Sequence, residues 1–546
     1  MKRFLYLATF FTLHSKFSRA LASLTITFFI SEAQAQNPIV THCYTADPAP
    51  MTFEGSDSLY VYCDEYMNVP GVNDFYYMER WRVYSTADMV NWTDHGVALP
   101  RTAFSWGREG TCWASQCVKR GDFYYWYICI SKPNDWRHYI GVARSDKPSG
   151  PFKDARKQPL FDTGEGGDID PTVFIDDDGQ AYLYWGNNKL RYAKLKKNMI
   201  LIDTSIGNNG VVTVPLTKES FGGVKVNDKV PEGEDCYEEG PWLDKRGDKY
   251  YMIYAAGGVP EHISYSMSDS PTGPWVYKGQ VMTQQNTGSF TNHSGIVHFK
   301  DKDYFFYHTG WAPGGGGFNR SMSVEEMHFN ADGTIQPVTA TKAGVKPIAA
   351  MSPYVQQQAE TLNSAHGIEV VGNENTGVYV TSIHTGDSMR VANVDFGSDG
   401  PKSITLRVAT EKNNSMLIIR QDHAKGKVIA KIRPQSTGSY DLWEEQTFDL
   451  SYVPTGVHSL HFSFNGSTTD LLFNWDWWQF NTFDTGVLNE KLRMNNEECS
   501  HDDWYDLSGR RISTHTESLH SLPLGGAGGG LSPGIYIRGH KKYVIR

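Results

Sequence analysis

At 546 residues the chain is too long for one compact domain, and two or three are expected. A hydrophobic fraction of 40% supplies a buried core, and the 13% aromatic content, with 15 Trp and 30 Tyr, suits pleated β-structure. The net charge of −10, without a long basic run, excludes nucleic acid, which needs a concentrated basic footprint.

The N-terminus opens Met1-Lys2-Arg3 and runs through an apolar stretch (20–30) into Ala33-Gln34-Ala35. This fits the small-x-small pattern of a signal peptide cleaved after Ala35. Lys16 and Arg19 interrupt the segment, so an N-terminal anchor is the alternative, although the 20–30 run is short for a span. No other segment is apolar enough to cross a bilayer as a helix. Seven cysteines (43, 63, 112, 117, 129, 236 and 499) form no CxxC or zinc-like spacing. One or two disulfides suit an exported chain, and the spacing chooses none.

An aromatic strand pattern then recurs five times: SLYVY (58–62), DFYYWY (122–127), QAYLYW (180–185), DKYYMIY (248–254) and KDYFFYH (302–308). Its tyrosines, Tyr60, Tyr124, Tyr182, Tyr250 and Tyr304, lie 64, 58, 68 and 54 residues apart. A second pattern interleaves with it, in VYSTADMVNW (83–92), VARSDKPSGPF (142–152) and SYSMSDSPTGPW (264–275). Short strands with a period near 60 residues predict an all-β fold, a five-bladed β-propeller over 36–350. Asp47, Trp113, Asp170, Glu239 and His293 precede those tyrosines by 13, 11, 12, 11 and 11 residues. They share one phase of the repeat, the entry to each innermost strand, so they are expected to converge on the central channel.

Three converging carboxylates can split a glycosidic bond, one as acid and one as base, with the third shifting the acid's pKa. They can also cage a cation together with His293. Asp168, two residues from Asp170, competes for its role on the same face. Glu238 alternates away from Glu239, and Asp176, Asp177 and Asp178 read as a solvated turn. The glycine run 314–317 lacks the Lys-Ser/Thr of a phosphate loop and reads as a loop near the pocket mouth.

The strings TADPAP around Asp47, GDIDPTVFIDDDGQAYLYWGN around Asp170 and EEGPWLDKRGDKYYMIY around Glu239 resemble the three catalytic boxes of glycoside hydrolase family 43. WASQ, SPTGPW and NHSGIVHF add to a resemblance that runs from about Thr41 to Ile348. It implies an inverting mechanism with Asp47 as general base, Glu239 as general acid and Asp170 as the tuner and orienter of the acid. It further implies that His293 helps hold a central cation, often calcium, that Trp113 walls the sugar site, and that Arg320 reaches the substrate.

From 355 to 482 the texture changes to shorter alternating strands. QQAE (357–360), GDSMRVANVDFG (386–397), GVHSLHFSF (456–464) and LLFNWDWWQF (471–480) resemble a family 6 carbohydrate-binding module, a β-sandwich of jelly-roll type. The resemblance implies a structural calcium on Glu360 and Asp476. Ser388 stands where that family often carries an aromatic, which leaves Trp443 and Asn474 as ligand contacts. The tail (485–546), with WYDLSGRR, a glycine-rich stretch and GIYIRGHKKYVIR, resembles a type IX secretion sorting domain, a short β tail implying export to the cell surface or beyond.

The expectation is therefore a secreted or surface-bound, monomeric hydrolase acting on plant cell-wall polysaccharide, with calcium and no organic cofactor. Removal of α-L-arabinofuranosyl side chains from arabinoxylan comes first. A β-1,4-xylosidase, an endo-acting arabinanase or xylanase, and a non-catalytic glycan-binding propeller are the alternatives.

Overall fold

The computed structural model of the chain describes residues 37–67, 75–224, 235–373, 376–467 and 469–482, and the backbone alone of four short strands between 504 and 545. The expected signal segment, Cys499 and most of the expected tail lie outside the described residues. The tail strands Trp504–Tyr505, Arg511–Ile512, Gly534–Arg538 and Lys541–Ile545 form one four-stranded sheet. No helix among the described residues is long and apolar enough to cross a membrane.

Nineteen strands build the five blades. The first blade is β1 (Thr45–Thr52), β2 (Leu59–Tyr66), β3 (Met78–Thr86) and β4 (Trp92–Pro100). The second is β5 (Trp113–Arg120), β6 (Phe123–Ser131), β7 (His138–Ser145) and β8 (Lys153–Asp154). The third is β9 (Thr172–Ile175), β10 (Ala181–Trp185), β11 (Arg191–Leu195) and β12 (Val212–Thr213). The fourth is β13 (Tyr237–Arg246), β14 (Lys249–Ala256), β15 (His262–Ser268) and β16 (Val276–Met282). The fifth is β17 (Gly295–Phe299), β18 (Lys302–Thr309) and β19 (Ser321–Met327). The segment 37–40 lies along β19 and closes the ring: Ile39 N–H donates to the Met322 carbonyl (2.8 Å), and the Asn37 amide bonds both ways with Val324.

The two repeated patterns explain each other. The aromatic strands are β2, β6, β10, β14 and β18, the second strand of each blade, buried on both faces. Tyr62 of β2 packs edge-on against Trp126 of the next blade (4.8 Å). Its hydroxyl donates to the Pro148 carbonyl (2.7 Å), in the KPSG turn of that same blade. Tyr184 repeats the arrangement with the Pro271 carbonyl (2.6 Å) in SPTG. Aromatic strand and proline turn thus join neighbouring blades, with the buried phenol satisfied.

The following module is a β-sandwich. One sheet runs Glu369–Asn373, Gly377–Thr381, Asn474–Asn481, Ser403–Ala409, Glu444–Asp449, and the other Ser364–His366, Ser388–Asp395, Val457–Asn465, Met416–Gln421, Val428–Ile432. Leu406, Ile419, Phe462, Trp475 and Trp478 fill the space between them. The module is hydrogen-bonded to the first blade. Thr361–Leu362 adds a strand to the edge of β4. The Asn91 side chain donates to the Ala392 carbonyl and accepts the Ala392 N–H, both at 2.8 Å, and the Asn363 amide donates to the Val90 carbonyl (2.8 Å). The six cysteines among the described residues form no disulfide.

Candidate active site

Each of the three carboxylates sits at an irregularity on, or just before, the innermost strand of its blade. In β1 the ladder with β2 shifts between Ala46 and Ala49, which leaves Asp47 and Pro48 as a bulge with Asp47 at φ 49°. Asp170 has φ 59° just before Pro171 and β9. In β13 the register shifts on both sides of Glu239, and Gly240, at φ 59°, precedes Pro241. A left-handed residue before a proline breaks the pleat and re-aims the side chain, and such strained positions gather at functional sites. Gly240 also has no room for a side chain, since a Cβ there would stand 3.3 Å from His293 Nδ1.

The positions assigned from the repeat phase come together. Asp170 Oδ2 accepts the Gly240 N–H at 2.9 Å. His293 Nδ1 lies 3.9 Å from Asp47 Oδ1. Trp113 stands half-buried beside them, its ring stacked on His138 (3.9 Å between centroids) and its indole N–H donating to the Tyr76 carbonyl (3.0 Å). Tyr76 continues the aromatic wall to Phe318 (4.9 Å), in the loop after the glycine run, and Phe318 to Phe290 (5.0 Å).

Arg320, expected to reach the substrate, is buried at 5% exposure and donates to groups of the channel. Its Nη1 donates to Asp47 Oδ1 and Thr291 Oγ1, both at 3.1 Å, and its Nε to the Tyr66 hydroxyl. The ring closure that brings β19 beside β1 turns this arginine into the counter-ion of Asp47. His308, from β18, places Nδ1 3.1 Å from the same Asp47 oxygen. Asp168 is no rival to Asp170, because its oxygens take the Thr163 hydroxyl, the Trp185 indole N–H and Arg191. Asp176 serves the turn and accepts from Lys245 and Tyr250.

Electrostatics separate the carboxylates. Burial opposes the charge on Asp47, but Arg320, His308 and His293 outweigh it and hold the group well below the ordinary range. Glu239 is pushed up by burial, with the charges of Glu238 and Asp47 adding and the Asn187 amide (2.6 Å to Oε2) opposing. Asp170 is pushed well up by burial and then by the charges of Glu239 and Asp47. Asp170 and Glu239 are thus both pushed toward the protonated form while Asp47 is held ionised.

Among the described residues no three His, Cys, Asp or Glu side chains gather as a metal site. His293 is buried beside Asp47 and held near 4, by burial first. In the module, Glu360 Oε2 is buried without a partner and the Asp476 charge lies beside it, while Arg407 donates to Asp476. Asn474 is committed to Thr381 and Tyr440. Trp443 faces Tyr379 (5.1 Å), an aromatic that motif reading missed. Asp64, Asn187, Glu261 and His308 also escaped it, since none lies in the repeat phase that singled out the channel residues.

Comparison with known proteins agrees with this geometry. The family model for "Glycosyl hydrolases family 43" matches residues 35–335, and that for "Carbohydrate binding module (family 6)" matches residues 358–482. An arabinoxylan arabinofuranohydrolase of Bacillus subtilis is 32% identical over 86% of this chain and 96% of its own. One from Paenibacillus polymyxa is 29% identical over 84% and 76%. A xylosidase/arabinosidase of Bacteroides ovatus is 32% identical over 54% of this chain and 94% of its own. The crystal structure of a family 43 arabinoxylan arabinofuranohydrolase from Bacillus subtilis, in complex with cellotetraose, superposes with a TM-score of 0.68 at 30% identity, covering 83% of this chain and 98% of that one. A channel of bulge-mounted carboxylates in a five-bladed propeller, matched by relatives that extend through the sandwich, places this chain in glycoside hydrolase family 43.

Proposed function

We propose that the chain is an inverting, exo-acting hydrolase that removes α-L-arabinofuranosyl side chains from arabinoxylan. The observation that carries the chemistry is the split between Asp47, held low by Arg320, and Glu239, pushed up by burial and neighbouring charge. Glu239 gives its proton to the glycosidic oxygen as the bond to the anomeric carbon breaks. Asp47 takes a proton from the water that attacks the opposite face, so the sugar leaves with inverted configuration. Asp170 holds the Gly240 N–H and fixes the backbone next to the acid. The aromatic wall of Trp113 and Tyr76 supports sugar packing. The arabinose reading is supported by two-domain relatives that bear the name arabinoxylan arabinofuranohydrolase.

A β-xylosidase is the second reading, because a relative spanning only the propeller region carries both names. The test is hydrolysis of nitrophenyl α-L-arabinofuranoside against nitrophenyl β-D-xyloside, followed by arabinoxylan. Release of arabinose from the polymer supports the first reading. Xylose release alone supports the second, and no hydrolysis of any of the three rejects both.

Glu360 and Asp476 would hold a structural calcium in the module, where the orphaned buried oxygen of Glu360 fits a divalent cation. In the channel His293 would help to hold a central cation, with water completing its shell. Trp443 and Tyr379 would form the sugar-facing pair of the module. Export rests on the 20–30 apolar run with Ala33-Gln34-Ala35 and on the sorting-like tail, and N-terminal sequencing of the secreted protein tests it.

A further inference from the structure

The strand alternation of β2 places Tyr60, Tyr62, Asp64 and Tyr66 on one face. Three of these are aromatic and the fourth is an acid with 0% exposure. Asp64 stands opposite Ala46, where the β1 ladder breaks to form the Asp47 bulge. Its Oδ1 accepts the Ala46 N–H at 2.9 Å. That bond holds the last regular residue before the left-handed Asp47. Its Oδ2 is buried with no donor to accept from.

A fully buried carboxylate with one bare oxygen costs several kcal/mol, and a native site removes that cost by pairing or by protonation. Among the described residues no cation forms an ion pair with Asp64. The nearby guanidinium of Arg320 is bonded to Asp47, Thr291 and Tyr66. The remaining titratable neighbours, Tyr66, Cys63, Cys112 and Cys129, are a phenol and thiols that carry no positive charge in any state, and burial pushes them up so that they stay neutral. What lies beside Asp64 is the ionised carboxyl of Asp47, the residue after the Ala46 whose N–H it accepts, and that charge acts on it. Two anions there repel each other, whereas an acid and an anion can share a hydrogen bond.

We propose that Asp64 is a buried carboxylic acid whose hydroxyl donates to the Asp47 carboxylate while its carbonyl oxygen holds the Ala46 N–H. It is a positioning residue for the base. Burial, then the Asp47 charge and the shared hydrogen bond, keep its carboxyl well above the ordinary range. With Arg320 and His308 on the other side, Asp47 is gripped from both flanks and its reactive lone pair is fixed toward the channel.

The inference rests on Asp47 being the base, so the experiment separates the two claims. Asp64→Leu, Asp64→Asn and Asp47→Asn are compared on nitrophenyl α-L-arabinofuranoside from about pH 2.5 to 8, with melting temperatures recorded. Asp64→Leu removes both hydrogen bonds and is expected to lower kcat by about 10- to 100-fold with KM little changed. Asp64→Asn keeps both, the amide donating to Asp47 and accepting from Ala46. It should recover most of that loss with the acid limb of kcat/KM in place. If Asp64 were an anion, Asp64→Asn would remove a negative charge beside Asp47 and carry the acid limb to lower pH, which overturns the proposal. So does an Asp64→Asn variant that is folded and as impaired as Asp64→Leu. An active Asp47→Asn variant refutes the base assignment instead.

Discussion

Asp170 accepts the N–H of Gly240 at 2.9 Å, tying the left-handed residue before Pro171 to the left-handed residue before Pro241. One hydrogen bond thereby couples the entry to the third blade with the bulge of the fourth and sets the backbone on which Glu239 rides. Asp170→Asn keeps an acceptor for this bond but removes its charge. The variant should stay folded, lose about 10²- to 10⁴-fold in kcat, and show its alkaline limb at lower pH, because Glu239 then ionises more readily.

Glu239→Gln removes the proton donor. Turnover of arabinoxylan, a poor leaving group, should fall by about 10²- to 10⁴-fold, while an activated aryl glycoside, which needs little protonation, should be far less affected. Equal losses on both substrates would assign the acid elsewhere.

Asn187 donates to Glu239 Oε2 at 2.6 Å and so favours the ionised acid. Asn187→Ala removes that donor, raises the pKa of Glu239, and should move the alkaline limb of kcat/KM to higher pH. A downward shift would mean that the amide supports the neutral acid.

Burial holds His138 and His293 at about 4, below the 6.5 of an exposed imidazole. The unfolded chain therefore binds these protons first. Stability is full above pH 6.5 and falls as the pH drops toward about 4, by up to roughly 3 kcal/mol for each site. His138→Phe keeps a ring on Trp113 without the titration, and its melting temperature should decline less between pH 7 and pH 5 than that of the wild type.

Asn91 carries two of the hydrogen bonds that join propeller and module. Asn91→Ala leaves the Ala392 N–H and carbonyl unsatisfied and should cost about 2–4 kcal/mol, read by chemical denaturation. Beside the strand that joins module and first blade, EGTA should lower the melting temperature of the wild type and leave Glu360→Gln unmoved, if a calcium fills the gap beside Glu360 Oε2.

The repeat made the fold and the convergence of Asp47, Asp170 and Glu239 legible, because every blade reuses one strand order and one phase therefore maps onto the channel. What surrounds those carboxylates was not legible. Arg320 and Asp47 are 273 residues apart and meet only because the ring closes. Asp64 hides in the aromatic alternation of LYVYCDEY, where the pattern calls for core and gives no cue that one core position is an acid. The cysteines follow the same logic: spacing alone says nothing of the buried positions that Cys63, Cys112, Cys117 and Cys129 occupy.

The most direct test of the central claim is proton NMR of the first turnovers on arabinoxylan. An Asp47 base and a Glu239 acid on opposite faces predict that β-L-arabinofuranose appears first and then mutarotates. First appearance of the α-anomer, or release of xylose without arabinose, would contradict the account.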